Sequence, residues 1–306
     1  MKMQIFTLAQ DGFVGAYYGG PEDSTKAVIL MLGDSSTDRL ARCGAEWIRE
    51  QGCHALCMSA DKKDYGHHNY PLERFSYAID FLQGKGMKKI GIAGASTTGM
   101  LALVAASYYP DITLTIAMTP CDFIMEGFYR DGKDGAAERP GDNESTVSWK
   151  DKPLPYLPYA YRHPEYWKKL SEEAKSGGNK AASRNMFDKS ERIHPLQEEE
   201  KIKVEQIHGK IVFIGAEDDV LWDTCKYIRR MEERLSSHAH VCTRESLLYE
   251  HGTHFVFPES MLKKILPIGS EFFVKFMFKA ARKYPKECRA MRIDIDERLQ
   301  KIILEW

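Results

Sequence analysis

The chain has 306 residues, enough for one large α/β domain or two small ones, and its 43% apolar and 28% charged content is ordinary for a soluble globular protein. The formal net charge of −1 favours neither nucleic acid nor an acidic membrane as a partner. No apolar stretch approaches the roughly 18 residues of a membrane helix, and the first residues lack the apolar segment of a signal peptide. We therefore expect a cytoplasmic protein without a membrane span, of an oligomeric state that the sequence leaves open.

Cysteine and histidine spacing argues against metal chemistry. The seven cysteines are scattered and contain no C-x-x-C pair, which predicts reduced thiols and no zinc site. His67 and His68 lie in a polar stretch, where adjacent side chains diverge, so we expect a substrate contact or a solvated pair rather than metal ligands. We expect no metal and no cofactor, and we take His67 as a candidate substrate-binding residue.

Apolar patterning predicts the elements in chain order. Two short apolar stretches on either side of Asp11-Gly12 predict a hairpin near the start. Ser36 or Thr37 is the expected cap of the first long helix. Apolar runs predict strands at 27–32, 53–58, 90–93, 112–118, 210–214 and 241–249. Helical spacing predicts helices after 36, 71 and 99, around 228–235, and near 270–283 and 293–306. This alternation predicts an α/β fold with a mostly parallel central sheet and helices on both faces.

The alternation stops between Cys121 and Gln206, a stretch in which no strand pattern is evident. So long a segment inside an α/β domain favours an inserted cap over a loop. We therefore expect one domain over 1–306, with 122–206 as its cap. Tyr156 and the other aromatic residues of this segment suit either a cover over an apolar substrate or packing of the cap on the sheet. Tyr156 is the candidate substrate contact among them.

A candidate nucleophile lies at Ser96, between the apolar strand at 90–93 and an apolar helical stretch that begins at Met100. A strand, a tight turn holding a serine and a buried helix make a nucleophile elbow, usually written G-x-S-x-G. Here the fifth position is Thr98, with Gly99 one residue later, which departs from that pattern. The helix N-terminus behind the serine offers free N–H groups to an oxyanion.

Candidate acid and base residues follow later strands. Asp218-Asp219 follow the strand at 210–214, and His254 lies five residues beyond Tyr249. A serine, then a carboxylate, then a histidine, each after a strand, is the order found in α/β-hydrolases. The carboxyl ends of parallel strands share one edge of the sheet, so we expect these residues to meet there.

The expected roles follow from serine chemistry, because a hydroxyl needs a base to take its proton and a carboxylate to hold that base. We assign Ser96 as nucleophile, His254 as base and Asp219 as acid, with Asp218 and His251 as the open alternatives. The expected oxyanion donors are the backbone N–H groups of Thr97 and Asp34.

Several segments resemble the C-terminal catalytic domain shared by acyl-CoA thioesterases and bile acid-CoA:amino acid N-acyltransferases. The specific motifs are Pro-Leu-Glu at 71–73, Pro-Leu-Pro-Tyr at 153–156 and Asp-Asp-x-x-Trp at 218–222, and the similar stretches are 69–82, 90–103, 149–156, 202–207, 215–222 and 249–255. The resemblance implies an α/β-hydrolase fold with Ser96 as nucleophile and His254 as base. It implies Asp219 as the acid, because Trp222 stands three residues after it. A serine nucleophile in this family goes with hydrolysis, and a cysteine with transfer to an amino acid.

The leading hypothesis is therefore a serine hydrolase of an acyl thioester or a carboxylic ester, with a small-molecule substrate. Acyl transfer to an amine acceptor is one alternative. A hydrolase fold that binds without turnover is another, favoured by the altered glycine set at 34–36, 98 and 253. A coenzyme A substrate would need cations near the site for its phosphates. The candidate cations are Lys62, Lys63, Arg130, Lys150 and Lys152.

Overall fold

Parallel pairing dominates the central sheet. The computed structural model describes residues 3–61 and 68–306. In chain order, the strands of the described residues are β1 (Gln4–Phe6), β2 (Val14–Tyr18), β3 (Lys26–Met31), β4 (His54–Ser59), β5 (Tyr70–Pro71), β6 (Lys89–Ala95), β7 (Ile112–Met118), β8 (Glu126–Tyr129), β9 (Arg139–Ser145), β10 (Val147–Trp149), β11 (Lys152–Pro153), β12 (Lys210–Ala216) and β13 (Thr243–Tyr249). Eight of them form one sheet in the order β1-β2-β4-β3-β6-β7-β12-β13, in which β2 runs antiparallel to both of its neighbours and the other pairs are parallel. The predicted sheet and hairpin are confirmed.

Helices cover both faces of the sheet. In chain order, the α-helices of the described residues are α1 (Leu8–Asp11), α2 (Arg39–Glu50), α3 (Glu73–Gly84), α4 (Thr97–Tyr108), α5 (Tyr166–Ser176), α6 (Arg184–Ile193), α7 (Thr224–Ser237), α8 (Glu259–Ile265), α9 (Ser270–Met277), α10 (Lys279–Lys283) and α11 (Pro285–Glu305). Successive strand residues face opposite sides. Ile29 therefore packs in the core with α3, α4 and α7, and Leu30 in the core with α2, α8 and α11. Within the described ranges, no helix is both long and apolar enough to cross a bilayer.

Helix ends differ from the sequence-based expectation in two places. Asp38, not Ser36 or Thr37, caps α2, because its carboxylate accepts a hydrogen bond from the Ala41 N–H at 2.9 Å. The helix expected over 270–283 is two helices, since Phe278 between them is extended and buried.

The segment that joins β7 to β12 contains strands, so the expectation of a strand-free stretch is wrong. β8 pairs with β9 in one small sheet, and β10 pairs with β5 and β11 in another. These strands are short and rich in glycine, proline and polar residues, which hides the two-residue periodicity that marks a strand. α5 and α6 complete the segment, which lies in sequence between two neighbouring strands of the central sheet.

Candidate active site

Ser96 lies at a sharp turn between β6 and α4, with a backbone φ of 62° and ψ of −130°. This left-handed φ is rare for a residue with a side chain and marks local strain. The Ser96 N–H donates to the Met118 carbonyl at 2.9 Å, which anchors the turn to β7. Glycine is required on both sides: a Cβ on Gly94 would lie 2.1 Å from the Thr98 carbonyl oxygen, and one on Gly99 would lie 2.7 Å from that of Met118. The elbow geometry expected from the sequence is present.

Thr98, the departure from the usual elbow pattern, is built into the turn by its hydroxyl. Thr98 Oγ1 lies 2.6 Å from the Met31 carbonyl oxygen and 2.8 Å from that of Ala95, and it accepts a hydrogen bond from the Ala95 N–H at 3.0 Å. These contacts tie the end of β3 to the elbow. The close packing that glycine usually permits is supplied by Gly99, one residue later.

His254 and Asp219 form a buried pair at the same edge of the sheet. His254 Nδ1 lies 2.8 Å from Asp219 Oδ2, and the Asp219 side chain is fully buried. The same carboxylate accepts hydrogen bonds from the Leu221 N–H at 2.9 Å and the Thr224 hydroxyl at 2.5 Å. A carboxylate on Nδ1 holds the imidazole in the tautomer whose Nε2 is free to accept a proton.

The other imidazole nitrogen, His254 Nε2, is buried and has no hydrogen-bond partner among the described residues. Trp222 packs edge-on against the ring, with centroids 4.7 Å apart, and its own Nε1 donates to the Thr119 carbonyl at 3.1 Å. The tryptophan thus fixes the orientation of the histidine from the side, while Asp219 fixes it from Nδ1.

Asp218 and His251 pair with each other, apart from this site. His251 Nδ1 lies 3.0 Å from Asp218 Oδ2, and the His251 ring stacks on Tyr284 with centroids 3.6 Å apart. Neither residue lines the cavity at Ser96. The two Asp–His pairs are therefore separate, and the pair that reaches the cavity is Asp219–His254.

A cavity of about 300 Å³ lies over the elbow, at the lower end of the size range of small-molecule sites. Ser96 and His254 both line it, and the rest of its wall is mostly apolar. The lining residues are Met31, Leu32, Gly33, Asp34, Leu40, Ala95, Ser96, Thr97, Thr98, Thr119, Leu221, His254, Phe255 and Phe257. A serine hydroxyl, an imidazole and an apolar wall suit an acyl group better than a charged ligand.

The backbone N–H groups of the two predicted oxyanion donors differ in their hydrogen bonding in the structure. Thr97 is the first residue of α4, so its N–H belongs to the helix turn that lacks acceptors within the helix. The Asp34 N–H instead donates to Asp38 Oδ2 at 2.9 Å, which corrects the expectation that it is free for an oxyanion. Gly33 permits this contact, since a Cβ there would lie 2.3 Å from Asp38 Oδ2. A carboxylate in a turn commonly bonds nearby N–H groups, and sequence alone does not say which.

Only one of the two predicted substrate contacts, Tyr156, belongs to the described residues. His67 lies outside the described residues, as do Lys62 and Lys63. Tyr156 is half-buried and packs against the core on the α4 side of the sheet, and it does not line the cavity at Ser96. Its aromatic neighbours in sequence, Tyr159 and Tyr166, are buried against Phe128. These contacts favour packing over substrate cover for the aromatic residues of this segment.

Of the described cations that were candidates for coenzyme A phosphates, Arg130 lies beside Asp34, a residue of the cavity wall. Its Nη2 lies 3.5 Å from Asp34 Oδ2 and 2.7 Å from Glu138 Oε1, so two carboxylates offset its charge. Lys150 lies over the Trp149 ring, beside the small sheet of β5, β10 and β11. Among the described residues, no cluster of His, Cys, Asp and Glu side chains is placed to hold a metal ion.

Two residues that shape the site were missed from the sequence. Arg184, at the start of α6, donates to the carbonyl oxygens of Glu217 and Asp219, both at 3.0 Å, and so holds the loop that carries Asp219. Thr224, at the start of α7, donates to the Asp219 carboxylate. The only sequence feature that pointed to Thr224 was its position at a predicted helix start shortly after Asp219. No sequence feature pointed to Arg184.

The fold of this protein is that of the α/β-hydrolases. Its sequence matches the family model described as BAAT / Acyl-CoA thioester hydrolase C terminal over residues 70–261, and the chain belongs to that family. No curated protein sequence matches the chain.

Solved structures that are similar to this protein share little sequence with it. MGS-M1, an alpha/beta hydrolase enzyme from a Medee basin deep-sea metagenome library, is 14% identical with a TM-score of 0.53, covering 100% of this chain and 99% of that chain. Est1E from Butyrivibrio proteoclasticus is 15% identical with a TM-score of 0.43, covering 89% and 96%. The Pyrococcus furiosus esterase Pf2001 is 13% identical with a TM-score of 0.44, covering 98% and 96%. The likeness to MGS-M1 supports the fold.

Proposed function

We propose that the chain is a serine hydrolase that cleaves an acyl ester or thioester through an acyl-enzyme. The observation that carries the proposal is that His254 lines the same cavity as Ser96, has no hydrogen-bond partner at Nε2 among the described residues, and meets Asp219 at its other ring nitrogen. Family membership and the strained elbow at Ser96 add support.

In the proposed mechanism, Ser96 Oγ attacks the substrate carbonyl while His254 Nε2 takes its proton. The Thr97 N–H, with the partial positive charge of the α4 N-terminus, stabilises the oxyanion. The leaving alcohol or thiol departs with the proton from His254, which leaves an acyl ester on Ser96. Water, deprotonated by the same histidine, then releases the acid. Asp219 stays ionised and stabilises the imidazolium in both steps.

Within this reaction class, a neutral ester is favoured as the substrate over an acyl-coenzyme A thioester. The wall of the cavity is mostly apolar, and Arg130, which lies beside Asp34 of that wall, is offset by Asp34 and Glu138. We also propose that 122–206 acts as a cap within one domain over 1–306, since its residue Arg184 holds the acid loop.

A matched substrate panel tests the proposal. The panel contains p-nitrophenyl esters and coenzyme A thioesters of the same acyl groups, from acetyl to decanoyl, and Ser96→Ala is the control. We expect turnover that is lost in Ser96→Ala and faster on the nitrophenyl esters. Faster turnover of the coenzyme A series would overturn the ester preference. Added glycine or taurine that captures the acyl group would point to transfer. A folded wild-type protein that hydrolyses neither series would favour a binding protein.

A further inference from the structure

Exposed aromatic side chains cluster on α9 and the turn before it. Phe272 is 74% exposed and Phe276 50% exposed, one helical turn apart on the same face, and Ile268 in the preceding turn is 94% exposed. The two phenylalanine rings lie 6.5 Å apart. Their helix is anchored from its other side, where Val274 is buried. Apolar side chains gathered on one helix face, rather than scattered singly, mark a surface that binds something.

Positive charge borders this aromatic face. Lys175, Lys180, Lys275 and Arg282 line the same groove as Phe272 and Phe276, a space of about 740 Å³. None of the four has a carboxylate within ion-pair distance among the described residues. Arg282 donates instead to backbone carbonyls, including that of Lys275 at 2.7 Å, and Lys180 Nζ lies 4.8 Å from the Phe276 ring centroid.

The acidic residue of α9 does not offset this charge. Glu271 is paired with Arg292, which is buried beneath the helix. The described residues that line the groove therefore combine phenylalanine side chains with basic side chains and no acidic ones. This local positive charge contrasts with the formal net charge of −1 for the whole chain. We call this surface the α9 face, defined by residues 175–180 and 268–282.

We propose that the α9 face docks on an anionic lipid surface. Phenylalanines on one side of a helix and lysines or arginines around them are the features of helices that lie in a membrane interface, where the rings enter the headgroup region and the cations meet lipid phosphates. A protein partner of ordinary composition would not need four uncompensated cations around two phenylalanines. The charge of the groove thus selects an acidic lipid layer as the occupant.

The α9 face also adjoins the candidate active site. Phe273 stacks on Phe255 with ring centroids 5.8 Å apart, and Phe255 follows His254 and lines the cavity. Docking through α9 would therefore place the wall of that cavity next to the lipid. The docking proposal does not depend on the proposed hydrolysis, because it rests on the composition of α9 and its surroundings.

Vesicle binding tests the proposal with the full chain. Co-sedimentation is measured with phosphatidylcholine vesicles and with vesicles that contain about a third phosphatidylglycerol, for the wild type and for Ser96→Ala. We expect binding of both proteins to the anionic vesicles only, weakened by added salt. The double variant Phe272→Ser/Phe276→Ser should lower the partition coefficient by about 100-fold, on the order of tenfold for each phenylalanine. Lys180→Glu/Lys275→Glu should lower it by about 25-fold or more, roughly fivefold for each cation lost.

Matched controls use exposed residues elsewhere on the surface. Val241→Ser/Leu304→Ser removes two side chains that are 72% and 74% exposed, before β13 and at the end of α11, and should leave binding unchanged. Equal wild-type binding to both vesicle types, or wild-type binding by both α9 variants, would overturn the proposal. Self-association that is lost in the phenylalanine variant, without vesicle binding by the wild type, would show that a second copy covers the face and would equally overturn it. Vesicle binding is measured in Ser96→Ala as well as in the wild type. A failure of the docking proposal can therefore be told apart from a failure of the proposed catalysis.

Discussion

Replacing Asp219 by asparagine isolates the carboxylate of the proposed triad. Asp219 Oδ1 accepts the Leu221 N–H, while Oδ2 accepts the Thr224 hydroxyl and faces His254 Nδ1. An amide NH2 in the Oδ1 place would meet the Leu221 N–H, donor against donor, at a cost of about 1–3 kcal/mol. We therefore expect the NH2 to take the Oδ2 place, where it donates to His254 Nδ1.

The consequence is the wrong histidine tautomer. With Nδ1 accepting, the proton moves to Nε2, which then has no lone pair for the Ser96 proton. The same exchange in a well-studied serine protease lowers kcat by about 10⁴-fold, or about 5.5 kcal/mol of transition-state stabilisation. We expect a loss of that order here, with the fold retained because asparagine has the shape of aspartate.

The assay is kcat/KM for the best p-nitrophenyl ester, with the melting temperature measured in parallel. Asp218→Asn is the matched control, since the neighbouring carboxylate pairs with His251 outside the cavity. We expect Asp218→Asn to keep activity within about threefold of wild type, as suits a pair away from the reacting atoms. Wild-type activity in Asp219→Asn, or an equal loss in Asp218→Asn, would refute the reasoning.

Three further predictions concern residues around and beyond the site. Thr98→Val should cost about 1–3 kcal/mol of unfolding free energy, because it removes the hydroxyl that donates to the Met31 carbonyl and accepts from the Ala95 N–H, whereas Thr98→Ser should restore most of it; urea denaturation of both variants checks this. Native protein should expose at most one thiol, that of half-buried Cys43, to a disulfide reagent at pH 8, because the other six are buried and burial raises the pKa of Cys57 to about 12; reaction of several thiols before unfolding would contradict it. A hydrogen bond from Lys203 lowers the pKa of Glu198 from its ordinary 4.5 to about 2, so the carboxylate stabilises the fold above pH 4.5 and this contribution is lost as the pH falls towards 2. Glu198→Gln should therefore lower the urea midpoint at pH 7, by less in high salt, and the difference from wild type should shrink at pH 3; a difference that grows on acidification would contradict the assignment.

Much of the framework was predictable because its strands are buried on both faces. The apolar runs at 27–32 and 112–118 predicted β3 and β7, and the order of Ser96, Asp219 and His254 after strands predicted that all three lie at one edge of the sheet. Parallel sheets produce such runs, so the prediction depended on burial rather than on fine local propensity.

Side-chain pairing in the loops was only partly predictable. The residues preferred Asp219 and His254 but left Asp218 and His251 open, and the folded backbone shows that Asp218 meets His251 and Asp219 meets His254. In the same way, nothing in the loop after β3 marked Asp38 as the partner of the Asp34 N–H. Such choices depend on backbone direction over a few residues, where several hydrogen-bonding arrangements have similar energies.

The small sheets of the 122–206 segment were missed for a different reason. β10 pairs with β5, which lies more than 70 residues away in the sequence. Neither strand has enough alternating apolar residues to be recognised from its sequence pattern. Tertiary pairing decides the structure of such short strands, so a local pattern could not predict them.

Covalent labelling with a fluorophosphonate tests the central claim most directly, because the probe reacts with an activated serine whatever the natural substrate. The wild type, Ser96→Ala and His254→Ala are labelled at equal concentration, and the modified residue is located by peptide mass. The account predicts a single label on Ser96, no label in Ser96→Ala, and labelling slowed by orders of magnitude in His254→Ala. A folded wild-type protein that stays unlabelled, or a label on another residue, would contradict it.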